Sequence, residues 1–451
     1  MSEQMTEKQF YKAFFVMTFT MAMQNIITFG VNLADSVMMG AYSETALSGV
    51  GICNNIQYLL MMAVTGIANG MTVIASRYWG MRDLKSVKKV SALSVFLSIG
   101  VSILITVLCT AMPEKIIFLF TDKQTVAAEA VKYLDIIKWT YLIYGLTTIL
   151  LSILRSVETV RIGFIVSLSS FAVNVFLNYG LIYGKMGMPE MGVRGAALAT
   201  LFARSIELIV TIIYTFGIDK KLKCSISDLL KTDKEMFRDF VKTGSPLVGS
   251  SVSWGIAMSI QGAIIGRFVE SAIAANSIAT TIFQIATVIA YASSNAACVL
   301  IGKTIGENAD MSIIKSRSRN LQLIFVGIGV VSSAILLLCK TAIIGFYNAS
   351  SDTIHYTNQF IWVLSVTIIG TAYECPTLCG IVSGGGETGF VLKNDFIFMW
   401  LIVLPVSALS AFVFKFPVVV TFACLKADQV LKCVVAFFKA RSYNWVKNIK
   451  A

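Results

Sequence analysis

Long apolar stretches separated by short polar segments dominate this chain. A helix needs roughly 20 apolar residues to cross a bilayer. On that ruler the chain predicts twelve spanning helices, at 13–38, 46–76, 90–112, 133–154, 162–183, 194–216, 244–265, 273–302, 320–345, 357–380, 394–414 and 416–438. The second and eighth are long and are expected to tilt or protrude. The twelfth is the weakest. Its apolar core, Phe416 to Leu425, is short, and Lys426, Asp428 and Lys432 follow it, so it is expected to end as an amphipathic helix at the interface. Met1 to Lys12 is polar with mixed charge, and the run after it lacks a small-residue cleavage site. That run reads as a first span, not as a cleaved leader.

The polar segments between runs are not alike. Arg77, Arg82, Lys85, Lys88 and Lys89 crowd one loop. Lys220, Lys221, Lys223, Lys231, Lys234, Arg238 and Lys242 crowd the middle one, and Lys303, Lys315, Arg317 and Arg319 a third. The tail adds Lys439, Arg441, Lys447 and Lys450. With twelve spans, all of these share the side of the N-terminus. The positive-inside bias then places both termini in the cytoplasm of a multi-pass plasma (inner) membrane protein. The chain carries 37 Lys+Arg against 25 Asp+Glu, a formal charge of +12. This excess is read as topological, not as a nucleic-acid surface. Apolar residues make up 56% of the chain and charged residues 14%, against about 25% charged in soluble domains. Such a composition excludes a soluble enzyme, a disordered chain and a nucleic-acid-binding domain. The nine cysteines are scattered, mostly inside apolar runs, and imply no disulfide framework.

The two halves resemble each other. A shift of 226 lays Met38-Met39-Gly40 through Ala46 over Ile264-Ile265-Gly266 through Ala272. In the same register Asn69 meets Asn295, Arg77 meets Lys303, Gly80 meets Gly306 and Lys89 meets Lys315. Each half holds six spans, an even number, so the halves share orientation and are related by an axis along the membrane normal. This is a transporter architecture with the substrate path between halves. The expected division is 1–216 as the first lobe, 217–243 as a cytoplasmic linker, and 244–451 as the second lobe with a basic tail.

An acidic side chain deep in a spanning helix costs about 2.5–3.5 kcal/mol on insertion scales, so it is read as functional. Asp35 is the clearest case. Asn32, three residues before it, shares its helical face, as does Asn25 two turns earlier. On the fifth span Asn174 and Asn178 are four apart, and the sixth contributes Thr200. One carboxylate among neutral oxygen donors suits a proton or a sodium ion, which need a chargeable group and hard ligands. The alternative is that the amides only join helices. The second half is less rich. Glu374 lies in the tenth span, Gln261 takes the repeat position of Asp35, and Gln284 adds a polar group to the eighth. Glu374 reads either as a cation ligand or as a structural group. Asp395 opens the eleventh span near its cytoplasmic end and reads as a cap or as a group solvated at the interface. Arg204 and Glu207, three apart, are expected to pair.

Several motifs mislead. Gly384-Gly385-Gly386-Glu387-Thr388-Gly389 matches GxGxxG but follows a membrane helix, not a strand, so nucleotide binding is rejected. Cys375 and Cys379 lack the further ligands that a metal site needs. His355, the only histidine, lies too far from Ser383 along one helix to serve it as a base. No catalytic group, metal site or cofactor is therefore expected. Asn348-Ala349-Ser350 is a sequon on the predicted outer side.

Taken in order, these features resemble the multidrug and toxin extrusion (MATE) family, in its DinF-like bacterial branch, over essentially the whole length. Asn32-Leu33-Ala34-Asp35-Ser36-Val37-Met38-Met39-Gly40 resembles the first-helix motif. Asn174 to Asn178, followed by Gly195 to Thr200, resembles the fifth and sixth helices. Leu154-Arg155-Ser156-Val157-Glu158-Thr159 and Ser383 to Thr388 resemble the paired LRGxGDT-like loops, and the tail from Asp395 through Lys432 to Trp445 is also similar. The resemblance implies an all-α membrane protein with twelve helices in two six-helix lobes. It implies proton- or sodium-driven antiport of amphipathic, often cationic, organic compounds. It carries the coupling role to Asp35 and Asn174. There are departures. Asn178 stands where the family has an acid. The seventh helix, Pro246 to Trp254, lacks the glutamate of the NorM-like branch, and Ser383 replaces an arginine. The expected protein is a monomer whose partners are small organic substrates and the lipid bilayer. The rival reading is a flippase for lipid or lipid-linked oligosaccharide of the same superfold.

Overall fold

Among the residues described by the computed structural model, 5–345 and 350–447, every regular element is a helix. Asn348 and Ala349 of the sequon, and Lys450, lie outside them. The helices are α1 (Glu7–Tyr42), α2 (Glu44–Gly80), α3 (Leu84–Ala111), α4 (Pro113–Phe118), α5 (Gln124–Ile137), α6 (Thr140–Ser156), α7 (Arg161–Tyr183) and α8 (Val193–Ile213). Then come α9 (Lys234–Asp239), α10 (Ser245–Ile265), α11 (Glu270–Gly306), α12 (Met311–Gly345), α13 (Ser351–Cys375), α14 (Thr388–Phe396), α15 (Leu404–Ala408), α16 (Val418–Leu425) and α17 (Asp428–Ser442). Wide π-helical turns extend or join several of them, including Pro376–Val382 and Ile397–Val403. Pro376 opens the first. Pro405 follows the second, and its ring would collide with the carbonyl four residues back in a regular helix; widening the turn relieves that clash.

Ten of the described helical segments are long and apolar enough to cross a membrane, and a bent pair makes an eleventh. That pair corrects the fourth predicted span. Residues 133–154 are not one straight helix: α5 and α6 meet at 51°. Hydroxyls hold the break. Thr140 donates to the Ile137 carbonyl at 2.6 Å, and Thr106 of α3 donates to the Lys138 carbonyl at 3.3 Å, drawing these carbonyls out of the regular ladder. The twelfth predicted span has the expected amphipathic end. The eight-residue α16 ends at Leu425, and the amphipathic α17 starts beyond a buried Lys426. Lys426 lies over the Phe283 and Phe422 rings.

The chain forms two compact units. The N-unit comprises Met23–Ala75 and Leu84–Val241. Its core gathers Met39, Leu60, Val64, Leu134, Ile137, Tyr141, Ile182 and Ala197. Ser91, Ser94, Ser98 and Ser102 form a buried stripe on α3. Gly145 of α6 faces it so closely that a Cβ there would lie 2.5 Å from the Ser102 hydroxyl. Small residues allow this approach where burial of apolar surface gives no drive between membrane helices. The linker is fastened to this unit. Lys88 donates to Asp228 at 2.9 Å and to the Lys223 carbonyl at 3.0 Å, and Lys89 pairs with Asp233, which caps α9. The bond from Lys88, together with the Ser225 backbone N–H, lowers the Asp228 carboxyl to about 2. Lys221 donates to the Val157 and Glu158 carbonyls at 2.7 and 3.0 Å, so the first LRGxGDT-like loop is held by the linker.

The C-unit comprises Met1–Ala22, Ser76–Asp83 and Lys242–Ala451. Its core includes Ile264, Ile282, Phe360, Leu364, Val403 and Phe422. The Phe360 and Phe422 rings stack 4.1 Å apart. Arg317, 2% exposed, donates to Glu7 at 3.0 Å, to Thr304 at 2.8 Å and to the Met5 carbonyl, and lies over the Phe10 ring. It thereby fixes the start of α1. The repeat-related ends of α2 and α11 cross glycine on glycine. A Cβ on Gly80 would strike the Lys303 carbonyl, and one on Gly306 would strike that of Arg77. The four residues are the very pairs aligned by the shift of 226. The Ser383 to Thr388 loop is held by the tail. Gly386 has φ +93°, the Lys447 amide donates to the Gly385 carbonyl at 3.0 Å, and Arg77 donates to the Lys447 carbonyl. Buried Trp445 covers Gly385. Tail and glycines thus anchor a loop in which Ser383 stands in place of arginine.

Candidate functional site

The N-unit joins Asp35, Asn178, Asn174 and Thr200 into one chain of polar contacts. Residues 174 and 178 are one helical turn apart, so both amides leave α7 on one face. Asn178 Nδ2 donates to Asp35 on α1 and, at 3.0 Å, to Asn174 Oδ1. Asn174 Nδ2 reaches Thr200 Oγ1 on α8 at 3.5 Å. Both asparagines are fully buried, whereas Asp35 is half-buried. Three helices therefore meet through side-chain oxygens and amides within an apolar surround. Asn178 Oδ1 is buried and has no hydrogen-bond partner among the described residues. An unpaired buried acceptor costs about 1–3 kcal/mol, so this position is set to receive a proton donor or a cation.

Two further groups belong here that sequence reading missed. Tyr133 of α5 is buried and lies beside Thr200 and Asp35. Arg204 of α8 also acts on the Asp35 carboxylate. Its partner is the expected one, Glu207 at 2.8 Å, and it lies over the Tyr144 ring. The α5 contact had no local signal, because residue 133 meets residue 200 only through the fold. Asn32 stands apart from the chain. It is exposed, and its backbone carbonyl accepts from Ser36 at 2.8 Å.

The second-half residues do not form a matching chain. Gln261 is buried and contacts the Met399 sulfur at 3.4 Å. Gln284 is exposed, with its backbone carbonyl accepting from Thr287. Glu374 is half-buried near Lys432, Asp395 and Asp428. Asp395, read from sequence as a cap or an interface-solvated group, instead takes an ion pair from buried Lys432 at 2.9 Å and a bond from Ser250. Lys432 also lies 3.5 Å from Asp428. Lys432 escaped the site reading because its nearest ion-pair partner is 37 residues away in sequence.

The MatE family model matches residues 20–180 and 246–409. The uncharacterized transporter YisQ of Bacillus subtilis is 24% identical over 416 residues, covering 92% of this chain and 90% of that protein. The probable multidrug resistance protein NorM of Thermotoga maritima is 24% identical over 429 residues, covering 94% of this chain and 90% of its own length. A solved MOP-superfamily transporter from Pyrococcus furiosus superposes with a TM-score of 0.85 at 18% identity, covering 96% of this chain and 95% of that one.

Proposed function

The chain belongs to the MatE family of multidrug and toxin extrusion transporters, and from that membership we propose a cation-coupled antiporter that exports amphipathic, cationic organic compounds. It works as a monomer in the plasma membrane with both termini in the cytoplasm. Relatives named as probable multidrug resistance proteins support the efflux reading. The observation that carries the coupling step is the Asp35–Asn178–Asn174–Thr200 chain with its one unpaired carbonyl oxygen.

In this reading Asp35 is the group that changes charge. With the carboxylate ionised, the Asn178 N–H donates to it. A proton entering from outside gives Asp35 a donor and removes the negative charge that strengthens its bond from Asn178. A sodium ion would instead draw on the Asp35 carboxylate and the neutral oxygens of Asn174, Asn178 and Thr200. Either event breaks or reorders the link between α1 and α7. Substrate release outside follows from that change in packing. For a monovalent cationic substrate a one-for-one exchange moves no net charge, so the drive is the concentration gradient of the entering cation, about 1.4 kcal/mol per tenfold difference. The ion pair of Arg204 with Glu207 speaks against lipid-linked phosphate as cargo, because the buried base is already neutralised.

The test uses purified protein in liposomes, with ethidium movement followed under an imposed proton or sodium gradient. Gradient-driven movement is expected in the wild type and at least about tenfold less in Asp35→Asn, from the loss of one charged hydrogen bond. Undiminished coupled transport in Asp35→Asn would sink the assignment.

A further inference from the structure

A groove of about 840 Å³ opens between α12, α13 and α17 of the C-unit, the unit that does not contain Asp35. Its walls are Leu323, Val326, Val366 and Phe437, all exposed apolar side chains. Its mouth carries Arg319, Arg441 and Tyr443, and no Asp or Glu lines it. Among the described residues neither arginine pairs with a carboxylate. Arg441 instead lies over the Phe437 ring at 4.2 Å, and Lys315 lies over Tyr443 at 5.1 Å. Positive charge is therefore gathered at one end without a counter-charge.

Gly370 shapes the floor. A Cβ there would strike the Gln429 carbonyl, and the Gly370 carbonyl accepts from the Cys433 thiol at 3.5 Å. Glycine thus lets α17 lie against α13. Along α12 the lining runs from Arg319 to Val326, and along α13 from Tyr373 to Val366. Each stretch covers seven residue-to-residue steps, about 10 Å of helix rise. The charge sits at one end of both stretches and the aliphatic walls at the other. The charged end is that of the basic loops, and α17 adds an apolar outer face with Lys439 and Arg441 in its last turn, the build of a helix lying at a membrane interface.

We propose that this groove is a binding site for one anionic phospholipid. The phosphate is held between Arg319 and Arg441, and an acyl chain runs along Leu323, Val326 and Val366. Basic pockets between spanning helices recognise anionic head groups by such charge complementarity. The inference needs the membrane placement of the chain but not the antiport reading.

The test is native mass spectrometry of the full chain released from nanodiscs containing equal phosphatidylglycerol and phosphatidylcholine. The wild type is expected to retain phosphatidylglycerol in preference. The Arg319→Ala/Arg441→Ala variant is expected to lose that preference by about tenfold or more, at roughly fivefold per basic residue. Both arginines are exposed, so the melting temperature of this variant should match the wild type. Val366→Trp, which fills the groove, should reduce retention of both lipids. Equal retention of the two lipids by the wild type overturns the proposal without recourse to any variant. So does an unchanged preference in the double variant. Retention of inorganic phosphate with no lipid preference, or a dimer mass that Val366→Trp abolishes, would assign the groove to a free anion or to a second copy and overturn it too.

Discussion

The amide nitrogen of Asn178 serves two acceptors while its own carbonyl oxygen has none. Removing that amide leaves the Asp35 carboxylate short of a donor in a partly buried place. A hydrogen bond to a charged group contributes about 1.5–3 kcal/mol. Asn178→Ala is therefore expected to slow gradient-driven ethidium transport by about ten- to a hundred-fold. Asn32→Ala is expected to change it less than about twofold, since Asn32 is exposed and outside the contact chain. Equal rates in Asn178→Ala and wild type would remove Asn178 from the coupling path. Much of this constellation was legible in the sequence, because an acid in an apolar run and amides at helical spacing are local signals. Tyr133 with Thr200 and Asp395 with Lys432 were not. Each depends on which helices become neighbours, and no spacing along one helix encodes that.

At the scale of elements, the crossing of α2 and α11 shows how a repeat becomes a contact. The sequence aligns Gly80 with Gly306 and Arg77 with Lys303. In the fold each glycine faces the carbonyl of the other pair's basic residue. Overpacking such a contact typically costs about 1–3 kcal/mol. Gly80→Leu and Gly306→Leu should each lower the melting temperature measured by tryptophan fluorescence. Gly327→Leu, where a Cβ would meet nothing within 4 Å, should leave it nearly unchanged. A melting temperature unaltered in all three would show that the crossing is not tight. Most helices were legible from apolar runs alone. The one correction, the bend between α5 and α6, and the break before α17 both arise where polar groups find partners across the fold. Thr106 takes the Lys138 carbonyl, and Lys426 settles over two aromatic rings. Hydropathy measures how apolar a stretch is and does not see such partners.

On the scale of the whole molecule, the compact units divide near the end of the middle linker, between Val241 and Lys242, and also within α1 and on either side of Ser76–Asp83. The C-unit draws its first residues from the start of α1 and a second piece from Ser76–Asp83. Severing the backbone within the linker should therefore yield two fragments that are unstable apart. Co-expressed pieces 1–230 and 231–451 are expected to co-purify and to restore transport, whereas 231–451 alone should be degraded. Its Arg317 would lack Glu7, and its Phe325 would lack the ring of Phe14. A stable, folded 231–451 fragment would contradict this. The same arrangement sets a schedule for synthesis. Arg317 and Glu7 are 310 residues apart, and Arg77 and Lys447 are 370 apart. At about 5–20 residues per second, the opening of α1 waits roughly 15–60 seconds for its arginine to leave the ribosome. Every segment of the N-unit has emerged before most of the C-unit exists. The first residues made are thus among the last to find their partners, and the final turns of the tail close the unit that the N-terminus began.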